Sequence, residues 1–130
     1  METEAILIDS SLIIQFFRMT IKEETAFFKL MENNQLYISV VTEYELLGGA
    51  TSKELLNDTL KILDLLTVVN FTSLEARRAA EIYRTLRRKN ANIGAADIFI
   101  AATAINYDLP LATLNTRHFN RIKSLKLYPL

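Results

Sequence analysis

The stretch Ile6-Leu7-Ile8-Asp9-Ser10-Ser11-Leu12-Ile13 decides the fold, because it has the pattern of a short buried strand that ends in a carboxylate. A strand that is apolar on both faces is typical of the middle of a parallel sheet covered by helices. In such sheets, ligands bind outside the carboxyl ends of the strands. We therefore expect Asp9 to lie at the ligand-binding edge of the sheet, and Ser11 to be the N-cap of the helix that follows.

The composition limits the class of protein. The chain has 130 residues, of which 50% are hydrophobic, and this suits a single globular domain over residues 1–130. No apolar run reaches the roughly 18 residues of a membrane span, so we expect no membrane association. No basic signal segment opens the chain. Cysteine is absent, which excludes thiol and disulfide chemistry and makes a cytoplasmic location the expectation.

The charge is zero overall but is unevenly distributed along the chain. Residues 1–65 contain five Lys or Arg and eleven Asp or Glu, whereas residues 66–130 contain ten and four. Such an asymmetry suits a cluster of carboxylates around a cation next to a surface that faces a polyanion. Solvated helix faces explain the same asymmetry equally well.

Strand and helix patterns alternate along the sequence. Strands are predicted at residues 5–9, 36–39, 67–70 and 111–113, with an edge strand at 126–128. Helices are predicted at residues 12–17, 23–33, 40–47, 51–66, 74–89, 95–106 and 116–121, with capping-box patterns at Thr51–Glu54 and Thr72–Glu75. This alternation predicts an α/β fold with a parallel central sheet of four to five strands and helices on both faces.

Three acids lie in segments that are otherwise apolar. Asp9 ends the first strand, and Glu45 directly precedes Leu46-Leu47, so Glu45 is expected to point inward. Asp97 lies near the start of an almost wholly apolar helix and is expected to be the most deeply embedded of the three acids. Helix capping would explain either Asp, but a buried charge is costly unless it is paired or bound to a metal. Three carboxylates from separate segments predict one acidic cluster, whose natural counter-charge is Mg²⁺ or Mn²⁺.

Four motifs in order make the chain similar to the PIN-domain ribonucleases, and among them to the VapC-type toxins of bacterial and archaeal toxin–antitoxin pairs. The likeness covers nearly the whole chain. The acid of the second motif falls on Glu45, and the fourth motif often carries an Asp in the family where this chain has Asn115. The four motifs lie at residues 6–11, 39–48, 97–104 and 111–119.

The resemblance implies a PIN-like fold, a Mg²⁺- or Mn²⁺-dependent endoribonuclease activity, a homodimer and a cognate antitoxin protein. It also implies that Asp9, Glu45 and Asp97 hold the metal, with Asn115 and Ser11 as weaker contributors to catalysis. Because Asn115 brings no charge, we expect one measurable metal site in the free protein and a second metal that arrives mainly with RNA.

Two surfaces complete this interpretation. Basic side chains would contact the RNA backbone and give affinity without sequence choice; they are Arg84, Arg87, Arg88, Arg117 and His118. Apolar side chains near the start of the chain cannot all face one core, so some are expected in a protein interface; they are Ile13, Ile14, Phe16, Phe17, Phe27 and Phe28.

Two other functions stay open on the sequence. A non-catalytic RNA-binding or interaction module with a weak metal site is favoured by Asn115, which replaces the fourth acid. A metal-dependent phosphatase acting on small molecules is the other, and the absence of a D-x-D motif at Asp9-Ser10-Ser11 argues against its phosphoaspartyl form. Zinc is disfavoured, since His118 is the one histidine and cysteine is absent.

Overall fold

A four-stranded, all-parallel sheet forms the centre of the molecule, as a computed structural model of residues 3–130 shows. Its strands run in the order β3-β2-β1-β4, with parallel pairing throughout. The predicted α/β fold with a parallel sheet is therefore confirmed, and the sheet has four strands. They are β1 (Ala5–Ile8), β2 (Gln35–Ser39), β3 (Thr67–Val69) and β4 (Leu111–Ala112).

Helices connect the strands and cover both faces of the sheet. A short 3₁₀ turn, Lys22–Glu24, precedes the second of them. No helix within residues 3–130 is both long and apolar enough to cross a membrane. The helices are α1 (Ser10–Arg18), α2 (Ala26–Asn33), α3 (Val40–Gly48), α4 (Lys53–Leu63), α5 (Ser73–Arg88), α6 (Ala95–Asn106) and α7 (Thr116–Phe119).

The alternation of side chains along β1 produces two hydrophobic cores. Leu7 faces one side of the sheet and packs into a cluster with residues of α5, α6 and α7. Ile6 and Ile8 face the other side and pack against residues of α1, α2 and α3. All three side chains are fully buried, as expected for a strand covered on both faces.

The start of α1 differs from the prediction. Asp9, and not Ser11, is the N-cap, because its side chain accepts a hydrogen bond from the backbone N–H of Ser11. The helix therefore begins at Ser10, and Ser11 lies in its first turn. Because Asp9 directly follows β1 and its carboxylate reaches that N–H, only this one residue separates the strand from the helix.

Three further boundaries differ for similar local reasons. The helix predicted from residue 23 begins at Ala26, where Thr25 caps it. The capping box predicted at Thr51 is absent, since Ser52 caps α4 through the N–H of Leu55. The edge strand predicted at 126–128 is reduced to a single parallel bridge between Leu127 and Leu111. The capping box at Thr72–Glu75 is confirmed.

Candidate active site

Asp9 lies at the carboxyl end of β1 and is held by three hydrogen bonds. Its Oδ1 accepts one from the backbone N–H of Ser11 (3.0 Å) and one from Ser11 Oγ (2.5 Å). Its Oδ2 accepts one from Thr113 Oγ1 (2.5 Å). Only 3% of Asp9 is exposed, so these contacts fix the carboxylate in one orientation.

The same hydroxyl groups connect the first motif to the fourth. Ser11 Oγ accepts a hydrogen bond from the backbone N–H of Leu114 (3.0 Å), and Thr113 Oγ1 accepts one from the N–H of Asn115 (2.9 Å). Because β4 pairs directly with β1, Thr113 stands beside Asp9 and Asn115 follows at the exposed start of α7. The structure thereby places Asn115 at the same edge of the sheet as Asp9, as predicted.

Sequence reasoning gave Thr113 no role. Its position two residues before Asn115, directly after an apolar strand, was the available signal. Thr113 is buried and donates its hydroxyl hydrogen to Asp9, so it is part of the machinery that orients the first acid.

Glu45 lies on α3 and carries a buried oxygen without a partner. Within residues 3–130, its Oε1 is the only buried side-chain nitrogen or oxygen atom that makes no hydrogen bond. A buried polar atom of this kind is costly and is found where a functional group or an ion belongs. The expectation that Glu45 points inward agrees with this placement.

Asp97 lies in the first turn of α6 and is hydrogen-bonded to the ring of His118. The distance from His118 Nδ1 to Asp97 Oδ2 is 3.0 Å, and the Asp97 side chain is 24% exposed. The sequence predicts that Asp97 is the most deeply embedded of the three acids. That is wrong, since Asp9 is far more buried, and the partner of Asp97 comes from α7.

The three carboxylates influence one another electrostatically. Burial raises the pKa of Asp9 above its usual 3.8, although hydrogen bonds from Ser11 and Thr113 oppose the rise, and the charge of Asp97 adds to it. Burial likewise raises the pKa of Glu45 above its usual 4.5, with further contributions from the charges of Asp97 and Asp9. The charges of Asp9, Glu45 and Asp97 thus act on one another, and we call these three residues the acidic cluster.

The donor atoms of this cluster fit a hard divalent cation. All are carboxylate oxygens, the ligands that Mg²⁺ and Mn²⁺ prefer, and the unpartnered oxygen of Glu45 is available to a cation. In the described part of the chain, however, no three acidic or histidine side chains are close enough to form a ready metal cage.

The predicted RNA-contacting residues fall into two groups. Three lie in the last two turns of α5, where the guanidinium of Arg87 lies 5.3 Å from the ring centre of Tyr83 and Arg88 donates a hydrogen bond to Thr85. The short segment 89–94 joins this end of α5 to the start of α6, which carries Asp97. Arg117 and His118 lie on α7.

The apolar side chains near the start of the chain divide between core and surface. Ile13 and Phe27 are buried in the second core, so they are not available for an interface. Phe16 and Phe17 are partly buried against that core, Phe28 is half-buried, and Ile14 is 37% exposed. Only this second group could contribute to a protein contact.

Comparison with known proteins agrees with these features. The sequence matches the PIN domain family over residues 6–125. Ribonuclease VapC10 of Mycobacterium tuberculosis is 37% identical over 121 residues, which cover 93% of this chain and 90% of that protein. Ribonuclease VapC1 of Methanocaldococcus jannaschii is 32% identical over 130 residues, which cover 98% and 89%.

Solved structures give the same result. VapBC2 from Rickettsia felis, bound to a DNA fragment from its promoter, superposes with a TM-score of 0.81 at 25% identity, covering 95% of this chain and 97% of the other. FitAcB from Neisseria gonorrhoeae gives 0.79 at 26% identity, with coverages of 95% and 96%. With these matches, and with the first and fourth motifs side by side at one edge of a parallel sheet, the chain belongs to the PIN domain family.

Proposed function

We propose that this chain is a metal-dependent endoribonuclease and the toxin of a VapBC-type toxin–antitoxin pair, with residues 1–130 acting as one nuclease domain. The observation that carries the proposal is the acidic cluster of Asp9, Glu45 and Asp97, assembled from three motifs of a PIN domain. Relatives that cover nearly the whole chain are named ribonucleases, and this supports the assignment of RNA as the substrate.

The three acids would hold Mg²⁺ or Mn²⁺, which when bound activates water and neutralises the scissile phosphate. The protein's own contribution is to orient the oxygens. Asp9 is held by Ser11 and Thr113, and Glu45 offers an oxygen that has no other partner in residues 3–130. Asn115 would place an uncharged amide at the same edge, where it can orient a water molecule or the substrate.

RNA would be bound through its phosphates. Residues 89–94 join the basic end of α5 to the start of α6, and α7 contacts the start of α6 through His118 and Asp97, so both would flank the acidic cluster. Arg84, Arg87, Arg88 and Arg117 would contact the backbone, and binding should therefore weaken steeply with salt. Each phosphate contact removed by substitution should reduce the slope of the logarithm of the binding constant against the logarithm of the salt concentration by about one unit.

The partners follow from the relatives and from exposed apolar side chains. The structural neighbours include VapBC complexes from three bacterial species, and we assign a cognate antitoxin to this chain by similarity. The antitoxin would fill the surface around Ile14, Phe16, Phe17 and Phe28 and would extend an Arg or Lys to the acids. We also propose a homodimer; a monomer in light scattering at micromolar concentration would contradict it.

The decisive test is RNA cleavage by the purified protein with Mg²⁺ or Mn²⁺ and with an excess of chelator. We expect cleavage only with metal, and we expect Asp97→Asn to abolish it while the fold, followed by circular dichroism, is retained. Asp108→Asn is the matched control, since Asp108 lies beyond the other end of α6 and pairs with Lys126. Cleavage by Asp97→Asn at the unmodified rate would contradict the proposal.

A non-catalytic RNA-binding module is the second candidate. The observation that favours it is the combination of Asn115 in place of an acid with carboxylates that are not preassembled into a metal cage. It would show as salt-dependent RNA binding with no cleavage at any metal concentration.

A further inference from the structure

We propose that His118 is a positioning residue of the metal centre, whose ring fixes the orientation of the Asp97 carboxylate. This inference rests on the proposed function, because it assigns His118 a role toward a cation held by Asp97. It also changes the role predicted for His118, which was contact with RNA.

The three acids are held in different ways. Asp9 receives three hydrogen bonds from Ser11 and Thr113, whereas Glu45 has a buried oxygen with none. Among the side-chain hydrogen bonds of residues 3–130, Asp97 takes part in one, and its partner is His118 Nδ1 at 3.0 Å. The orientation of the Asp97 carboxylate therefore depends on a single contact.

Helix capping does not account for the orientation of Asp97. Asp97 is the third residue of α6, where an acid commonly reaches back to the N–H of the N-cap residue. The N-cap is Gly94, and α6 has no side-chain cap hydrogen bond. The carboxylate turns to α7 instead, so a tertiary contact and not the helix itself sets its direction.

The backbone that carries His118 is held in place by its neighbours in α7, although the side chain of His118 is 53% exposed. Phe119 is fully buried in the core shared with α5 and α6 and anchors the short helix. At the start of α7, the N–H of Asn115 bonds to Thr113, which in turn bonds to Asp9. His118 thus approaches Asp97 from a segment that is already tied to the first acid.

The hydrogen bond assigns separate tasks to the two oxygens of Asp97. A carboxylate only accepts, so Nδ1 of His118 carries the hydrogen and Oδ2 is engaged. Oδ1 stays free for the cation. Partners that orient metal-binding side chains in this way typically change metal affinity by about 10- to 100-fold.

The experiment measures Mn²⁺ binding to the metal-free full chain by titration calorimetry, which requires no RNA and no turnover. His118→Ala should weaken binding about tenfold or more. His118→Asn should recover most of the affinity, because its amide nitrogen stands where Nδ1 stands. His118→Gln, whose amide reaches the position of Nε2, should not.

Two controls make the outcome specific. Lys126→Ala removes a surface partner of Asp108 beyond the far end of α6 and should leave Mn²⁺ affinity unchanged. Asp97→Asn should weaken Mn²⁺ binding at least as much as His118→Ala. Unfolding midpoints of the metal-free variants show whether the substitutions act on the fold instead.

Three results would overturn the inference. Unchanged or tighter Mn²⁺ binding by His118→Ala would show that the ring does not support the ligand. Equal losses in the Ala and Asn variants would show that the Nδ1 hydrogen bond is not the cause. If the unmodified chain binds no Mn²⁺, the proposed metal site fails together with this inference, whereas binding that His118→Ala leaves intact overturns the inference alone.

Discussion

Replacement of Thr113 by Val tests whether the hydroxyl beside Asp9 stabilises a charged carboxylate. Val has nearly the volume of Thr, but it removes the donor to Asp9 Oδ2 and the acceptor for the N–H of Asn115. A hydrogen bond to a charged group contributes about 1.5–3 kcal/mol. The N–H of Asn115 can turn to water, since Asn115 is exposed.

We therefore expect Thr113→Val to lower the free energy of unfolding of the metal-free protein by about 2 kcal/mol at pH 7. For a domain of this size, that corresponds to a fall in Tm of about 8 °C. Thr113→Ser is the matched control, because it keeps the hydroxyl and loses one buried methyl group, at a cost of about 1 kcal/mol. Urea unfolding followed by circular dichroism measures both.

The pH dependence separates this mechanism from a packing defect. The Thr113 hydrogen bond lowers the pKa of Asp9 against the larger effect of burial, so its removal should raise that pKa further. The destabilisation by Thr113→Val should have its full size at pH values above the pKa of folded Asp9, where the carboxylate is charged. It should become smaller as pH falls through that pKa, because a protonated carboxyl gains less from a hydrogen-bond donor. A destabilisation equal to that of Thr113→Ser, or one that does not change between pH 7 and 4, would refute the reasoning.

Three further substitutions test the electrostatics of the fold and the site. Glu45→Gln should stabilise the metal-free protein at pH 7, because burial and the charges of Asp97 and Asp9 raise the pKa of Glu45. The gain in the free energy of unfolding should vanish as pH falls toward 4.5. Urea unfolding across this pH range measures the gain, and a gain that does not change with pH would contradict the prediction. Asn115→Asp should tighten Mn²⁺ binding, as measured by calorimetry. The control is Asn120→Asp, which adds the same charge at the other end of α7 and should change Mn²⁺ affinity less. Equal changes in affinity would show that Asn115 is not near the metal. Glu75→Gln should lower the free energy of unfolding by about 1–2 kcal/mol at pH 7, because hydrogen bonds from Asn106 and from Thr72 outweigh burial and lower the pKa of Glu75. This destabilisation should become smaller as pH drops below 4.5. A destabilisation that persists at pH 3 would indicate lost packing alone.

The features that sequence predicted best are those fixed by neighbouring residues. The bounds of α6 follow from an almost wholly apolar run after Gly94, and the start of α5 follows from the capping box at Thr72–Glu75. The buried first strand and the inward direction of Glu45 follow equally from local pattern. Each depends on residues within one or two turns, so periodicity and capping rules suffice.

The features that sequence missed depend on contacts between distant segments. Thr113 and Asp9 are 104 positions apart, and His118 and Asp97 are 21 apart. A single sequence gives no measure of such pairing, so Thr113 received no role and His118 was assigned to RNA. The cap of α1 was misassigned for a different reason, since Asp9 and Ser11 are both good capping residues and only the geometry of the strand end selects Asp9.

The bridge between β4 and the C-terminal segment has a consequence for self-association. The backbone of Leu111 donates to Lys126 and accepts from Tyr128, at 2.9 and 2.8 Å, so the outer hydrogen-bonding groups of Leu111 are already engaged. An open strand edge is a template on which another chain can add a strand. At β4 a second chain would first have to displace residues 126–128, and at the opposite edge β3 offers only three residues. We therefore expect two copies of this protein to associate through helical faces, and removal of residues 126–130 should convert an edge that resists aggregation into one that promotes it.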